Sequence, residues 1–388
     1  MALYLDCNAT TPLASKVFEA MRPFWSENMG NPSSRHRYGR IARNAIEKAR
    51  AQVAELLNVS VDQIIFTGSG TEANHLAIHG IAKSLSSKNL TNKVVAVGST
   101  EHASILSAAN SMEHSGWDVV QLQVDHNGLF GDEALKQIRA NYPSIVSVML
   151  ANNETGVIQN IAPVVEQAHK IGAVVHVDAS QAAGKIPLNF TELNVDCMTV
   201  SAHKMYGPKG VAALILAPSL ELSPIINGGG QEMGLRSGTE NVPAIVGFGA
   251  AALLSVNNLK DSGASLLETR RYLEAGLKNI DGIEIVAETA DRLPNTVMMI
   301  ITAVEGETML MQLDQRGFCL SSGSACQAGK TDPSHVLMAM GISGQQAKSA
   351  VRVSLCRGVT RDEIDLFLDA LSEIALSQSS AVSMTAWG

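Results

Sequence analysis

From residue 64 to residue 216, strand-length apolar runs alternate with helix-length stretches, and this rhythm constrains the fold more than any other feature of the chain. The runs are "IIFT" (64–67), "KVVAVGS" (93–99), "DVVQLQV" (118–124), "SIVSVML" (144–150), "AVVHVD" (173–178), "DCMTVS" (196–201) and "VAALIL" (211–216). "KVVAVGS" reads as a buried strand, whereas "DVVQLQV" alternates with period two. Between them, "PVVEQAHKIG" (163–172) is a short helix with Pro163 at its start and Gly172 just past its end. Upstream, "IARNAIEKARAQVAELL" (41–57) sets Ile41, Ala45, Ala49, Val53 and Leu56 on one helical face. Strands separated by helices predict an α/β fold, a mainly parallel sheet with helices on both faces.

After about residue 260 the rhythm changes. A long helix over roughly 263–280 precedes "NTVMMIIT" (295–302), the helix "ETMLMQLDQ" (307–315) and "VRVSL" (351–355). A helix near 333–340 is expected to start with Asp332 as N-cap and Pro333 at N1. "TRDEIDLFLDALSEIA" (360–375) opens with a Thr360/Glu363 capping box. These segments predict a smaller α+β domain. The chain of 388 residues is long enough for two domains, a large one over 15–260 and a small one made of 1–14 with 261–388.

Composition narrows the function. With 46% hydrophobic and 17% charged residues the chain can bury a large core. A net charge of −8 disfavours nonspecific binding to nucleic acid or anionic membranes, and 4% aromatic residues leave little for a base-stacking platform. The five cysteines (Cys7, Cys197, Cys319, Cys326 and Cys356) are scattered and form no C-x-x-C pair. They read as neither a disulfide framework nor a zinc site, and they fit a reducing compartment. The N-terminus lacks the pattern of a signal peptide, and no unbroken apolar run reaches membrane-spanning length, so a soluble cytoplasmic protein is expected.

Four motifs carry chemistry. "TGSGTEANH" (67–75) leads from a strand into a helix through a glycine-rich turn, whose backbone N–H groups and Thr71 hydroxyl suit a phosphate. It lacks both P-loop and G-x-G-x-x-G spacing, and by itself it reads more as a tight turn with a helix cap than as a ligand site. "VVHVDASQAAGK" (174–185) puts Asp178 at the carboxyl end of a core strand, either as a cap or opposite a cation. "SAHKMYGPKG" (201–210) sets Lys204 in a turn directly after a strand, where an amine can meet a carbonyl group and form a Schiff base. An anion site, an acid and a lysine in that order fit pyridoxal phosphate, which needs all three. The fourth motif, "SSGSACQAGK" (321–330), sets Cys326 among small residues that cannot pack around it, so that it reads as a thiol on an accessible, moving loop.

The chain resembles the cysteine desulfurases of the NifS/IscS type, fold-type I pyridoxal phosphate enzymes of the class V aminotransferase family. The likeness runs nearly end to end through "YLDCNATTP" (4–12), "GNPSSRHRYG" (30–39), "TEHASIL" (100–106), "ANNETGVIQ" (151–159), "SAHKMYGPKG", "GGGQEMGLRSGTENV" (228–242), "SSGSACQAG" and "VRVSL". It implies that Lys204 tethers the cofactor and moves protons, that Asp178 pairs with the pyridinium nitrogen, and that Gln181 bonds the phenolic oxygen. His102 would stack on the ring and act as an acid or base. Gly70, Thr71, Ser201 and His203 would hold the phosphate, with Thr239 supplied by the neighbouring subunit of a homodimer. Asn153 and Arg352 would grip the substrate carboxylate, a task that suits a guanidinium fork.

Cys326 would take the sulfur of L-cysteine as a persulfide, leaving L-alanine, and hand it to an acceptor such as an iron–sulfur scaffold or a nucleic-acid thiolation partner. The other four cysteines would be inert packing residues. A selenocysteine lyase or another class V aminotransferase is the alternative, and the Cys326 loop argues against it, since a transaminase needs no nucleophilic thiol.

Overall fold

The computed structural model describes residues 2–88, 90, 92–302, 304–322 and 332–385, with backbone alone from 378 onward. Its strands in chain order are β1 (Leu3–Tyr4), β2 (Ile64–Thr67), β3 (Val94–Gly98), β4 (Asp118–Leu122), β5 (Ile145–Met149), β6 (Val174–Asp178), β7 (Cys197–Ser201), β8 (Ala212–Leu216), β9 (Ile283–Ile285), β10 (Thr296–Ile301), β11 (Phe318–Cys319), β12 (Ser321–Ser322) and β13 (Ala350–Ser354).

All seven runs that open the sequence reading are strands of one sheet, in the order β2-β8-β7-β6-β5-β3-β4. Only β8 runs against its neighbours; β4, β3, β5, β6 and β7 pair in parallel. The strands β2, β3, β5, β6, β7 and β8 are buried along their whole length or nearly so, and β4, whose sequence alternates, is the half-exposed edge. β-branched residues buried on both faces suit a sheet covered by helices on each side. Ile46, Val53 and Leu57 of the helix Arg37–Leu57 pack in one layer with Phe248. Leu76 and Ile81 of the helix Gly70–Ser86 pack in the other, with Ile105 and Trp117. Each such side chain contributes about 1.5–3 kcal/mol by leaving water. The helix Arg37–Leu57 buries Ala42, Ile46, Ala49, Val53 and Leu57, while Ile41 and Ala45 are only half-buried. Ala49, Val53 and Leu56 of the expected face are thus buried, and only its first part is turned by one residue, onto Ala42 and Ile46.

The long helix differs most from expectation. It spans Val242–Leu277, with Pro243 in its first turn and Asn241 as N-cap, and not 263–280. It alone among the described residues is long and apolar enough to cross a membrane, yet half of its most apolar window is buried within the protein. Its glycines explain that packing: a Cβ on Gly249 would lie 2.5 Å from the Ala49 Cα, so only glycine lets the two helices approach this closely.

The same helix continues into a second core, where Leu273 and Leu277 meet Phe367 and Leu371 of the C-terminal helix Arg361–Thr385. This core covers the antiparallel sheet β12-β13-β10-β9. Thr360 and Glu363 cap the C-terminal helix reciprocally, as expected. The helix expected near 333–340, however, is His335–Ala339 with Ser334 as N-cap, not Asp332 with Pro333 at N1. The Ser334 hydroxyl accepts the Leu337 N–H, which puts the cap two residues later.

Leu5 joins the second core, and the N-terminal segment runs through β1, parallel to β11, and the Asp6–Ser354 bridge. It is held there by a disulfide, Cys7–Cys356, with Cα atoms 5.4 Å apart. The expectation of no disulfide is therefore corrected. The two cysteines are 349 residues apart, and only the docking of the first residues beside β13 brings them together. Cys197 is buried and free in β7, and Cys319 is free and half-buried in β11.

Candidate active site

The strands β2, β3, β5, β6 and β7 all end on one side of the large sheet, and the turns that follow carry the candidate residues. There they enclose a cavity of about 360 Å³. Gly70 and Thr71 follow β2, His102 follows β3, Asn153 follows β5, Gln181 follows β6, and Ser201, His203 and Lys204 end or follow β7. With Asp178 and Arg352, these ten residues all line the cavity. The carboxyl edge of an open α/β sheet is where such folds bind ligands.

Lys204 ends a single 3₁₀ turn after β7, and its Nζ donates to the carbonyls of Asn8 and Ala9. The N-terminal segment also laces that turn from outside: Thr11 Oγ1 donates to the His203 carbonyl at 2.9 Å and accepts the Tyr206 N–H at 2.7 Å. Asp178 is buried, yet both carboxylate oxygens are satisfied. Oδ2 accepts from Asn74 Nδ2 and Oδ1 from the Ser180 N–H, each at 2.9 Å. His102 caps the helix Ala103–Ser111; its Nδ1 accepts the Ser104 N–H, which leaves the ring proton on Nε2. Burial holds the His102 ring below the ordinary imidazole range, against the pull of Asp178, so it is neutral near pH 7.

Ser69, Gly70 and Thr71 stand at the N-terminus of the 17-residue helix Gly70–Ser86, facing Ser180, Ser201 and His203 across the cavity. A Cβ at Gly70 would come within 2.5 Å of Ser201 Oγ, so glycine keeps this cradle open. Burial, with Lys204, Lys209 and Lys185 nearby, pushes His203 down to about 4, making it a neutral donor or acceptor. At the opposite end, Arg352 is 2% exposed; it donates to the Asn153 carbonyl at 2.9 Å and to Asp6 Oδ1 at 2.6 Å. Its Nε is buried without a hydrogen-bond partner among the described residues.

A model of the aminotransferase class-V family matches residues 3–367. The chain belongs to this family. A cysteine desulfurase IscS of Dictyoglomus turgidum is 39% identical over 373 residues, which cover 96% of this chain and 94% of that protein. A cysteine desulfurase of Cereibacter sphaeroides is 40% identical over 374 residues, 96% and 95% of the two chains. Among solved structures, a NifS-like protein superposes with a TM-score of 0.89 at 36% identity, covering 96% of this chain and 99% of its own. This class-V enzyme is a pyridoxal phosphate-dependent protein of the cysteine desulfurase type, with the fold-type I architecture.

The donor set of this class-V enzyme fits its cofactor. The cradle at Gly70 has hydroxyls and a helix N-terminus for a phosphate, Asp178 offers a buried carboxylate to a ring nitrogen, and Lys204 presents an amine to an aldehyde. One expected residue among those described is not in the cavity. Thr239 is exposed and lines a separate small hollow with Thr67, Gly68 and Arg236. Cys326 lies outside the described residues.

Sequence reasoning passed over Asn8, Ala9 and Asn74, which line the cavity, and Lys185, Glu101 and Glu154, which are buried next to the lining residues Gln181, Met149 and Asn153. Asn74 could have been found, because it lies one helical turn beyond Gly70 and so faces the same way. Glu101 is fully buried, and burial together with the nearby Asp178 raises its carboxyl well above the usual range. For Asn8 no local signal exists; its place is decided by contacts across the whole chain.

Proposed function

We propose that the enzyme takes sulfur from L-cysteine, releasing L-alanine and leaving a persulfide on Cys326, with Lys204, Asp178 and His102 as the residues around the cofactor. The observation that supports this reading best is the meeting of Lys204, Asp178, His102, Asn153 and Arg352 around one cavity, although they come from four strand ends of one sheet and a strand of another. Bound pyridoxal phosphate supplies an electron sink that labilises bonds at the substrate Cα. The Asp178 carboxylate, oriented by hydrogen bonds from Asn74 and the Ser180 N–H, would face the ring nitrogen of the cofactor. Lys204 Nζ, once free of the Asn8 and Ala9 carbonyls, carries protons to and from the substrate carbon. The Arg352 fork, with Asn153, orients the substrate carboxylate. The Cys326 thiolate then forms an S–S bond with the substrate sulfur as the Cβ–S bond breaks, and the carbon side takes up a proton to become alanine.

In the same reading the protein is a cytoplasmic homodimer in which Thr239 serves the partner's phosphate site, and the persulfide passes to a sulfur-acceptor protein. Residues 15–260 form the cofactor domain, and 1–14 with 261–388 form the smaller one that bears the thiol. The test is Cys326→Ala. It should abolish alanine and sulfide formation from cysteine while the visible absorbance of the bound cofactor, and its trapping on Lys204 by borohydride, stay intact. Undiminished turnover of cysteine would refute the role of the thiol and favour the lyase or aminotransferase alternative.

A further inference from the structure

Behind Gln181 lies a second lysine that the proposed chemistry does not use. Lys185 is buried, 8% exposed, and makes no ion pair among the described residues. Its Nζ donates to two amide oxygens, Asn8 Oδ1 at 2.8 Å and Gln181 Oε1 at 2.6 Å. An ammonium would bring three N–H donors to these two acceptors, whereas a neutral amine has two. Burial, with Lys204 and Arg352 nearby, pushes Lys185 well below the ordinary amine range, in agreement with that count.

The consequence falls on Gln181. Its side chain has two possible orientations, and Asn8 and Lys185 together select one. Gln181 Nε2 donates to the Asn8 carbonyl at 2.9 Å, an atom that can only accept, while Oε1 is held from behind by Lys185. Lys185 follows Gln181 by four residues through tight turns (Ala183 N to Ala179 O, Lys185 N to Ala182 O), which bring the two side chains within hydrogen-bond reach. With one Nε2 hydrogen spent on Asn8, the other is left for the cavity that Gln181 lines.

We propose that Lys185 is a positioning residue: it fixes the Gln181 amide so that an N–H, and not a carbonyl, is presented to the phenolic oxygen of the cofactor. The inference rests on the reading in which Gln181 faces that oxygen. A donor there favours the anionic oxygen, so its loss lets the bound cofactor keep its proton to higher pH.

The holoenzyme is titrated through its pH-dependent visible band in four forms: wild type, Gln181→Leu, Lys185→Met and the double variant. The expected result is a rise of about one pH unit in the midpoint for each single variant, with no further rise in the double variant. Should Lys185→Met not accumulate as folded protein, judged by circular dichroism, Lys185→Ala replaces it in the cycle. An unmoved midpoint in Gln181→Leu would overturn the placement of Gln181 itself. A Gln181→Leu shift with no Lys185 effect, or a Lys185 effect that adds in full to it, would overturn the positioning role alone.

Discussion

Glu154 follows Asn153 into the interior, where it is 3% exposed and accepts a hydrogen bond from the Ser334 hydroxyl. Burial raises its carboxyl to about 7, and Ser334 and Arg352 offset that rise only in part. Between pH 4.5 and 7 the folded protein therefore holds a proton that the unfolded chain has released, so this residue makes stability fall as pH rises. Above 7 the cost is constant, at most about 3 kcal/mol. Glu154→Gln keeps an acceptor for Ser334 and removes the titration. Its melting temperature should exceed that of the wild type by more at pH 8 than at pH 5. A gap that does not widen would place the perturbed proton elsewhere. At this scale the motifs of the sequence were informative about cavity-lining side chains such as Asp178 and Lys204, since a polar residue after an apolar strand needs a partner. They were silent on Glu154, Glu101 and Lys185, whose burial depends on what folds over them.

The elements follow the same division. Every strand of the large sheet could be read from its sequence, the strands buried on both faces from their apolar runs and the edge strand β4 from its alternation. Helix ends were harder. The start of the helix Val242–Leu277 was missed because Gly247 and Gly249 look like breakers, whereas they serve a close helix crossing. The N-terminal segment was the least legible element. Its local sequence gives no sign that Cys7 meets Cys356 or that the Asn8 carbonyl receives both Lys204 and Gln181. Closing so long a loop restricts the unfolded chain, so Cys356→Ala should destabilise the protein by about 2–4 kcal/mol in denaturant unfolding. Thiol counting under non-reducing denaturing conditions should find three of the five cysteines free. Five free thiols, with an unchanged melt for the variant, would show that the pair stays reduced and contributes nothing.

For the whole molecule, the proposed homodimer makes the most direct prediction. Thr239 sits in a hollow apart from its own chain's cavity, so any help it gives to a phosphate must cross to a partner. Sedimentation should give twice the 41.0 kDa chain mass, and Thr239→Val should weaken cofactor binding roughly tenfold without altering that mass. A monomer that binds pyridoxal phosphate at full affinity would rule this arrangement out. The alternation of apolar runs was enough to determine the α/β class, and motif order was enough to determine the family and its cofactor, because each is written in residues close together along the chain. Only the tertiary structure decided which side chains hold the others in place. It closed Cys7 onto Cys356, set Lys185 behind Gln181 and buried Glu154 beside Ser334. Each of these joins residues by packing, and the environment that packing makes, not the residue type, sets a group's charge, tautomer and orientation.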